Sequence, residues 1–406
     1  MSAPQPFLVY RDRIGAPSEL SFLRRQYVGF TRLRPIWIGR TLLPDAQAVG
    51  GSAMRLGGHG PLGPLRRLLF RHLGQAPRFG VTYLERDRLE PGEEPPAVDA
   101  DAADSDGLDQ PAWPTHTLAP VLHAQFARGG ALALPLAHAM GMRIVVTLHG
   151  GDVSKRKNWQ HTVLSQRWPS LVKEAAAFVC VSQAVADIAL SHGAPVDRIV
   201  VVPIGVEVPD QPPAAGPRSA HLFVGRFVQK KGIGILADAV RRLRAEGDAT
   251  PVVCIGDGPL RPELDRLARE VSGITLTGWL SPAAIQPYLA SAISLVVPSV
   301  VAEDGDAEGL PSVIPEAMAM ACPVIGSDQG GIAEAVESGV SGLLVPPGDS
   351  AALAAAMHTL GTDQMLRAQM GADAFATVST DLNAMVQSRK LEDLLLAAAN
   401  AAPVLP

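Results

Sequence analysis

Two glutamates eight residues apart, Glu308 and Glu316, flank Gly309-Leu310-Pro311-Ser312 where an apolar run, Leu295-Val296-Val297, leads into a helical pattern at Pro315-Glu316-Ala317-Met318-Ala319-Met320-Ala321. The first carboxylate belongs to a loop and the second to a helix, so the pair is placed to grip one extended ligand at two points rather than to share a proton. Backbone N–H groups of Gly309 and Leu310, near the helix start, would receive a phosphate or the hydroxyls of a sugar. This favours binding of a nucleotide-sugar over hydrolysis by paired carboxylates, whose acid and base flank one bond.

Further candidates lie at the ends of other apolar runs. His221-Leu222-Phe223-Val224-Gly225-Arg226 is followed after four residues by Lys231-Gly232. A diphosphate needs charge-assisted donors, and Arg226 with Lys231 would supply a fork and a point charge, although the same residues also suit a solvated turn. Gly256-Asp257-Gly258-Pro259-Leu260 reads as a tight turn into a helix, either an ordinary Asp-Gly turn or a place where backbone approaches a ligand. Thr147-Leu148-His149-Gly150-Gly151-Asp152 closes another strand with an imidazole and a carboxylate, and the imidazole there serves equally as a hydrogen-bonding structural group. Gly232-Ile233-Gly234-Ile235-Leu236-Ala237 matches G-x-G-x-x-A, but it does not follow its strand directly as a dinucleotide fingerprint does.

The elements that must position these residues alternate. In the first half, short apolar strands at 6–10, 35–39, 121–126, 144–148, 177–181 and 199–202 are separated by helical patterns. In the second half, strands at 221–225, 251–256, 274–277, 292–297, 323–326 and 342–345 alternate with helices near 232–246, 259–271, 281–290 and 311–321. The expected fold class is α/β, two doubly wound Rossmann-like units facing each other across a cleft at the carboxyl ends of their strands. The expected organisation is a first domain at 1–208 with a Pro- and Asp-rich insertion at 85–115, a linker at 209–219, a second domain at 220–380 and a C-terminal helical segment at 381–406.

Composition sets the outer bounds. A chain of 406 residues with 47% hydrophobic and 18% charged residues is globular and too long for one ordinary core. A net charge of −5 gives no reason to expect nucleic acid. Residues 1–90 nevertheless carry 14 Arg, no Lys and only 6 acids, which favours an anionic surface or a phosphate-bearing acceptor. Leu62, Leu65, Leu68, Leu69 and Leu73 can share a helical face beside Arg66, Arg67, Arg71 and Arg78, a pattern that suits anionic lipid and suits equally a helix packed on the sheet. Cys180, Cys254 and Cys322 sit in apolar runs without metal-ligand spacing and read as buried thiols of a reducing compartment. No signal-peptide pattern opens the chain and no apolar stretch is long enough to span a bilayer. The expected location is cytoplasmic, with any membrane contact peripheral.

Taken in order, Gly225-Arg226 to Lys231-Gly232, Gly256-Asp257-Gly258-Pro259-Leu260, Glu308-Gly309 to Glu316-Ala317-Met318, and Gly330-Gly331-Ile332 to Glu334 resemble the motifs of retaining glycosyltransferase family 4, with its two-Rossmann-domain GT-B fold. Ser18-Glu19, His123-Ala124 to Phe126, and His149-Gly150 to Asp152 extend the resemblance to the branch that builds bacterial exopolysaccharides of the colanic-acid and amylovoran type. The resemblance implies that Arg226 and Lys231 neutralise the donor's diphosphate and that Glu316 holds the ribose hydroxyls. It implies that Glu308, with the amides of Gly309 and Leu310 and the adjoining Pro311 and Ser312, holds the donor sugar. His149 would reach the reacting sugar, and Gly15, Gly225, Gly256, Asp257 and Gly258 would line the donor site. Glu19, His123 and Asp152 fall on the acceptor side. The donor phosphate would help take the acceptor's proton, so neither a metal nor a cofactor is implied.

The partners implied are a UDP- or GDP-sugar and a saccharide, free or linked to polyprenyl diphosphate, with an anionic membrane surface as the docking partner if the arginine-leucine segment is interfacial. Relatives often show a second histidine where this chain has Gln125, and a Ser-Glu-Thr-Phe run where it has Ser18-Glu19-Leu20-Ser21-Phe22, so acceptor identity does not carry over. Three alternatives remain: a GT-B-fold sugar-nucleotide epimerase, a non-catalytic nucleotide-sugar-binding protein, and a dinucleotide-dependent oxidoreductase. The first would change the donor sugar without an acceptor, the second would bind without turnover, and the third would bind a nicotinamide cofactor through Gly232 and Gly234.

Overall fold

The computed structural model of the chain describes residues 4–14, 22–39, 41–42, 53–56, 81–84, 118–213 and 216–401. Gly15, Ser18, Glu19, the insertion at 85–115 and the arginine-leucine segment at 62–78 lie outside the described residues.

Two sheets organise the molecule. The first has eight strands in the spatial order Ile199–Val201, Ala177–Cys180, Arg143–Leu148, Val121–Gln125, Gln5–Tyr10, Leu33–Gly39, Ala53–Leu56 and Val81–Leu84. All neighbours are parallel except the last pair. The second has six parallel strands in the order Ile274–Gly278, Val252–Ile255, Ala220–Val224, Ala292–Val297, Val324–Ser327 and Gly342–Val345. In each sheet the strand order reverses beside the first strand, between Gln5–Tyr10 and Val121–Gln125 and between Ala220–Val224 and Ala292–Val297. The carboxyl ends at such a reversal leave a crevice between oppositely departing helices, where α/β proteins bind ligands.

The strands are buried on both faces, which their near-continuous apolar sequences require: Val121–Gln125 and Ala292–Val297 are buried at every residue. Two strand pairs were not expected from the sequence, Ala53–Leu56 with Val81–Leu84 and the short Arg13–Ile14 with Thr41–Leu42. Three helices of the second half were likewise not anticipated, Gly330–Ala335, Ser350–Thr362 and Gln364–Asp381. The second half's expected strands agree with the structure to within a residue or two, and its expected helices are found at Ile233–Ala245, Arg261–Glu270, Pro282–Ser291 and Val313–Ala319. Cys180, Cys254 and Cys322 are buried free thiols, and no helix among the described residues is long and apolar enough to cross a membrane.

The last helix, Ala384–Asn400, returns to the first sheet. Its Leu391, Leu395 and Ala398 join a cluster with Phe7, Trp37, Val121 and Val145. Glu392, 1% exposed, fastens it: Oε1 accepts the backbone N–H groups of Thr31, Arg32 and Leu33 at 2.9, 2.7 and 2.8 Å, and Oε2 pairs with the Arg32 guanidinium at 3.1 Å. Burial pushes this carboxyl's pKa up, but the amides of Arg32, Leu33 and Thr31 and the Arg32 side chain outweigh it and leave the pKa lowered.

Glu392→Gln is therefore expected to cost roughly 1–3 kcal/mol in urea unfolding at neutral pH, the scale of a broken buried charge-assisted bond. Because the folded-state pKa is depressed, the contribution is fully present above the unfolded carboxyl's pKa and is lost as pH falls through the folded value. The gap between wild type and variant should narrow in acid. An equal midpoint for both at neutral pH would show that Glu392 does not fasten the helix.

Candidate active site

The carboxyl ends of the two sheets meet along a seam built from glycine-rich loops. Gly150, at φ +114°, leaves no room for a side chain: a Cβ there would stand 2.5 Å from the Gly309 nitrogen. A Cβ on Gly309 would stand 2.4 Å from the His149 carbonyl oxygen, and one on Gly331 would stand 1.9 Å from that of Gly309. Three backbones thus touch where larger residues would hold them apart, and the Glu308 loop rests directly on the turn after the Arg143–Leu148 strand.

Charge reinforces the contact. Asp306, 9% exposed, receives Lys155 from the first half at 2.8 Å and Lys230 from the second at 3.2 Å. The Arg156 amide donates to the Asp304 carbonyl at 3.0 Å, and the Ala307 amide donates to Ser154 Oγ at 3.0 Å. Glu334 crosses from the second half to the N-terminus of helix Gln183–Ser191, accepting the N–H groups of Gln183 at 2.6 Å and Ala184 at 2.7 Å. Those amides have no intrahelical acceptor, so a carboxylate there satisfies them and complements the helix dipole.

The two glutamates of the sequence motif occupy this seam, each held through one oxygen. Lys231 Nζ lies 2.9 Å from Glu308 Oε1, an ion pair that is not aligned as a hydrogen bond, with Lys230 at 3.8 Å. Arg25 Nη1 donates to Glu316 Oε1 at 2.7 Å from the other half of the chain. The second oxygen of each glutamate is left to accept from other groups. Glu316 lies in the first turn of the seven-residue helix Val313–Ala319, with Leu310 and Pro311 leading into it and an exposed Ser312 at its cap. The helix is shorter than the sequence suggested.

Arg226 is exposed and its side chain makes no hydrogen bond or ion pair with any described residue, so its guanidinium is available at the strand end. Gly232, left-handed at φ +70°, packs on Pro298 at the switch point of the second sheet; a Cβ would reach within 1.8 Å of that carbonyl oxygen. Gly256 and Gly258 pack against Gly225 and Phe227, and Asp257 Oδ1 accepts the Gly258 amide at 2.7 Å. The Asp-Gly turn thus shapes the strand end beside Gly225.

In the first half, His149 and His123 are both enclosed. The His149 ring lies 4.3 Å from the Phe126 ring and 5.7 Å from that of Phe22, and its Nε2 is 2.8 Å from Gln125 Oε1. Burial, then the nearby His123 and Arg11, push the His149 pKa down to about 3. Burial alone does the same for His123, also to about 3. Both imidazoles are neutral across the physiological range. Asp152, expected on the acceptor side, is a cap: Oδ2 accepts the Ala127 amide at 2.8 Å and Oδ1 the His149 amide at 2.9 Å. Burial raises its pKa while these amides oppose the shift.

Phe126, just before helix Ala127–Ala139, has φ 68° and ψ 150°, a conformation glycine adopts freely and other residues only under constraint. The Asp152 cap and the bond from the Phe126 amide to the Thr147 carbonyl, 2.8 Å, hold it there. Beside it a cavity of about 310 Å³ is lined by Arg11, Asp12, Gln125, Phe126, Arg128 and Asn158, among others.

Arg226, Lys231 and His149 follow strand ends, Glu308 lies on the loop beyond Ala292–Val297 and Glu316 on the helix after it, whereas Gly15 and Glu19 lie outside the described residues. Sequence reasoning missed Arg25, Lys155, Lys230 and Asp306, and named Phe126 only as the end of the His123-Ala124 motif. Lys230 and Asp306 carried a faint signal as neighbours of motif residues, and Arg25 and Lys155 carried none.

Known proteins resemble the chain in sequence and in fold. Residues 218–363 match the family model described as glycosyl transferases group 1, and residues 119–209 match that described as glycosyltransferase family 4. The chain is 30% identical over 287 residues to the amylovoran biosynthesis glycosyltransferase AmsK of Erwinia amylovora, covering 68% of this chain and 70% of that protein. It is 33% identical over 160 residues to the alpha-D-kanosaminyltransferase of Streptomyces kanamyceticus, covering 39% and 40% of the two chains. Among solved structures, Anabaena HepE in complex with UDP superposes with a TM-score of 0.70 at 18% identity, covering 96% of this chain and all of that one. The same protein in complex with UDP-glucose superposes with a TM-score of 0.68 at 16% identity, covering 97% and 100%. At that identity the likeness establishes the two-domain GT-B fold.

Gly150→Ala would place a Cβ against Gly309 in a left-handed backbone. The expected result is a folded protein destabilised by roughly 1–3 kcal/mol, the cost of overpacking, read as a lowered thermal midpoint. A midpoint equal to wild type would contradict the close contact at the seam.

Proposed function

The chain belongs to the family 4 glycosyltransferases, in their exopolysaccharide-type branch, and from that premise we propose that it moves a sugar from a nucleotide-diphosphate donor to a saccharide acceptor with retention at the anomeric carbon, using the Lys231–Glu308 pair at the seam. The observation that carries this reading is the arrangement of two carboxylates, each anchored to a cation through one oxygen and each with a second oxygen to accept from hydroxyls. Glu316, steadied by Arg25, would hold the ribose. Glu308, steadied by Lys231, would hold the donor sugar and orient its anomeric carbon. Gly225, Gly256, Asp257 and Gly258 form the turn beside Arg226 and would pass close to the nucleotide, as would Gly15.

In the proposed step the bond from the anomeric carbon to the diphosphate breaks, and its electron pair leaves with the phosphate oxygen. Arg226 and Lys231 stabilise the charge that develops there, so the protein's own cations would do the work for which other enzymes use a divalent metal. The acceptor hydroxyl attacks on the face just vacated, forms the new glycosidic bond and gives its proton to the departing phosphate. Both glutamates are already matched with cations, which suits gripping hydroxyls rather than delivering protons, so no protein acid is assigned.

We propose that the two sheets form separate lobes joined at 209–219, with the donor held mainly by the second. The first would hold the acceptor near Gln125, Phe126 and His123. Its cavity beside Arg11 and Arg128 suits a saccharide bearing anionic groups, including one linked to polyprenyl diphosphate. UDP-glucose, found with HepE, is the first donor to try. The relatives named above make products as different as amylovoran and a kanosaminyl conjugate, so the acceptor follows from this chain's own first lobe. Docking on the inner face of an anionic membrane through the arginine-leucine segment belongs to the same proposal.

Glu308→Ala and Lys231→Ala are each expected to leave a folded protein whose transfer rate falls roughly 100-fold or more, the scale of a lost transition-state contact. Rates near wild type in both variants, with the fold checked by circular dichroism, would remove the site assignment.

A further inference from the structure

Five polar side chains form one buried cluster beneath the switch point of the first sheet: Gln26, Tyr27, His123, Gln125 and Thr147 are each no more than 8% exposed. Buried polar groups are costly unless bonded, and here the bonds run in sequence. Gln125 Oε1 faces His149 Nε2 at 2.8 Å, while Gln125 Nε2 faces Gln26 Oε1 at 2.8 Å and the Tyr27 hydroxyl at 2.7 Å. The Tyr27 hydroxyl in turn lies 2.8 Å from His123 Nδ1, and His123 Nε2 lies 2.7 Å from Thr147 Oγ1.

The amide of Gln125 sets the direction of every one of these bonds. A carbonyl oxygen only accepts, so His149 carries its proton on Nε2. An amide nitrogen only donates, so the Tyr27 hydroxyl accepts from Gln125 and gives its own proton to His123 Nδ1. His123 then holds its proton on Nε2 and donates it to Thr147. With Nε2 engaged, the remaining polar atom of the His149 ring is Nδ1, which in the neutral ring is a lone pair.

We infer that Gln125 is a positioning residue for the donor sugar: by taking the Nε2 proton of His149 it fixes that ring as a hydrogen-bond acceptor through Nδ1, serving a sugar hydroxyl and not acting as a proton donor. The inference rests on the proposed placement of His149 beside the donor sugar and adds what that residue does there. The surroundings agree. Phe22 and Phe126 hold the ring plane. The charged or titratable groups near it are Arg11 after the first strand, His123 on the neighbouring strand, Tyr27 from the segment that covers them, Asp152 in its own turn and the Lys231–Glu308 pair on the facing loop. Of these, Arg11 and His123 disfavour a second proton on the ring, and burial disfavours it most.

Gln125→Glu tests the assignment. A carboxylate at this position accepts from Nε2–H and stabilises the imidazolium, so the His149 pKa rises towards neutrality, and a protonated Nδ1 no longer accepts. The expected result is that wild-type kcat/KM for the donor shows no ionisation of His149 between about pH 5 and 9, whereas the variant loses about 10-fold or more at the acid end of that range and recovers at the alkaline end. A variant profile parallel to wild type, merely lowered, would overturn the inference, because a purely structural role moves no ionisation.

Nitrogen-15 correlation spectra of the full wild-type chain give a readout independent of turnover. Proton attachment at His149 Nε2 and His123 Nε2 supports the inference, and attachment at His149 Nδ1 overturns it. Failure of the wider functional reading would show itself differently, as absence of wild-type turnover with any nucleotide-sugar.

Discussion

The backbone contact among Gly150, Gly309 and Gly331 is the constraint on which the seam depends. Side chains at these positions would hold the two halves ångströms apart. Without them the acidic loop around Asp306 settles onto the turn after His149, and Lys155 and Lys230 reach the same carboxylate from opposite sides. The Lys231–Glu308 pair, formed within the second half itself, lies beside that contact. Placement of the Glu308 loop and packing of the two halves are therefore one structural fact, which explains why glycine stands at each point of contact.

The polar groups divide by their surroundings. Along the seam, Glu308 and Glu316 are each matched with a cation through one oxygen, whereas Asp306 and Glu334 use both oxygens to hold the two halves together. Beneath the first sheet, water is excluded and the polar side chains satisfy one another instead. The depressed pKa values of His123 and His149 follow from that enclosure. Strain at Phe126 belongs to the same region, held by the Asp152 cap that also orients His149.

Much of the fold was legible because the buried parallel strands are short apolar runs, some closed by glycine, as at Phe223-Val224-Gly225 and Cys254-Ile255-Gly256. The two helices Ser350–Thr362 and Gln364–Asp381 escaped notice because alanine on nearly every face leaves little contrast between core and solvent sides. The motif residues were found because glycine, cation and carboxylate recur at strand ends. Their partners were not: Arg25 meets Glu316 across 291 residues of chain, and no local pattern encodes such a meeting. Asp152 accepts the Ala127 and His149 amides, contacts that its place in the sequence does not reveal.

The most direct test is nucleotide release by the purified protein from a panel of UDP-, GDP- and ADP-sugars, with and without a membrane lipid extract as the source of acceptor, together with the anomeric configuration of the product by proton NMR. The account predicts release from one donor, stimulated by the extract, and a product linkage of the same anomeric configuration as the donor. Binding of a nucleotide-sugar with no release from any donor, or a product of inverted configuration, would contradict it.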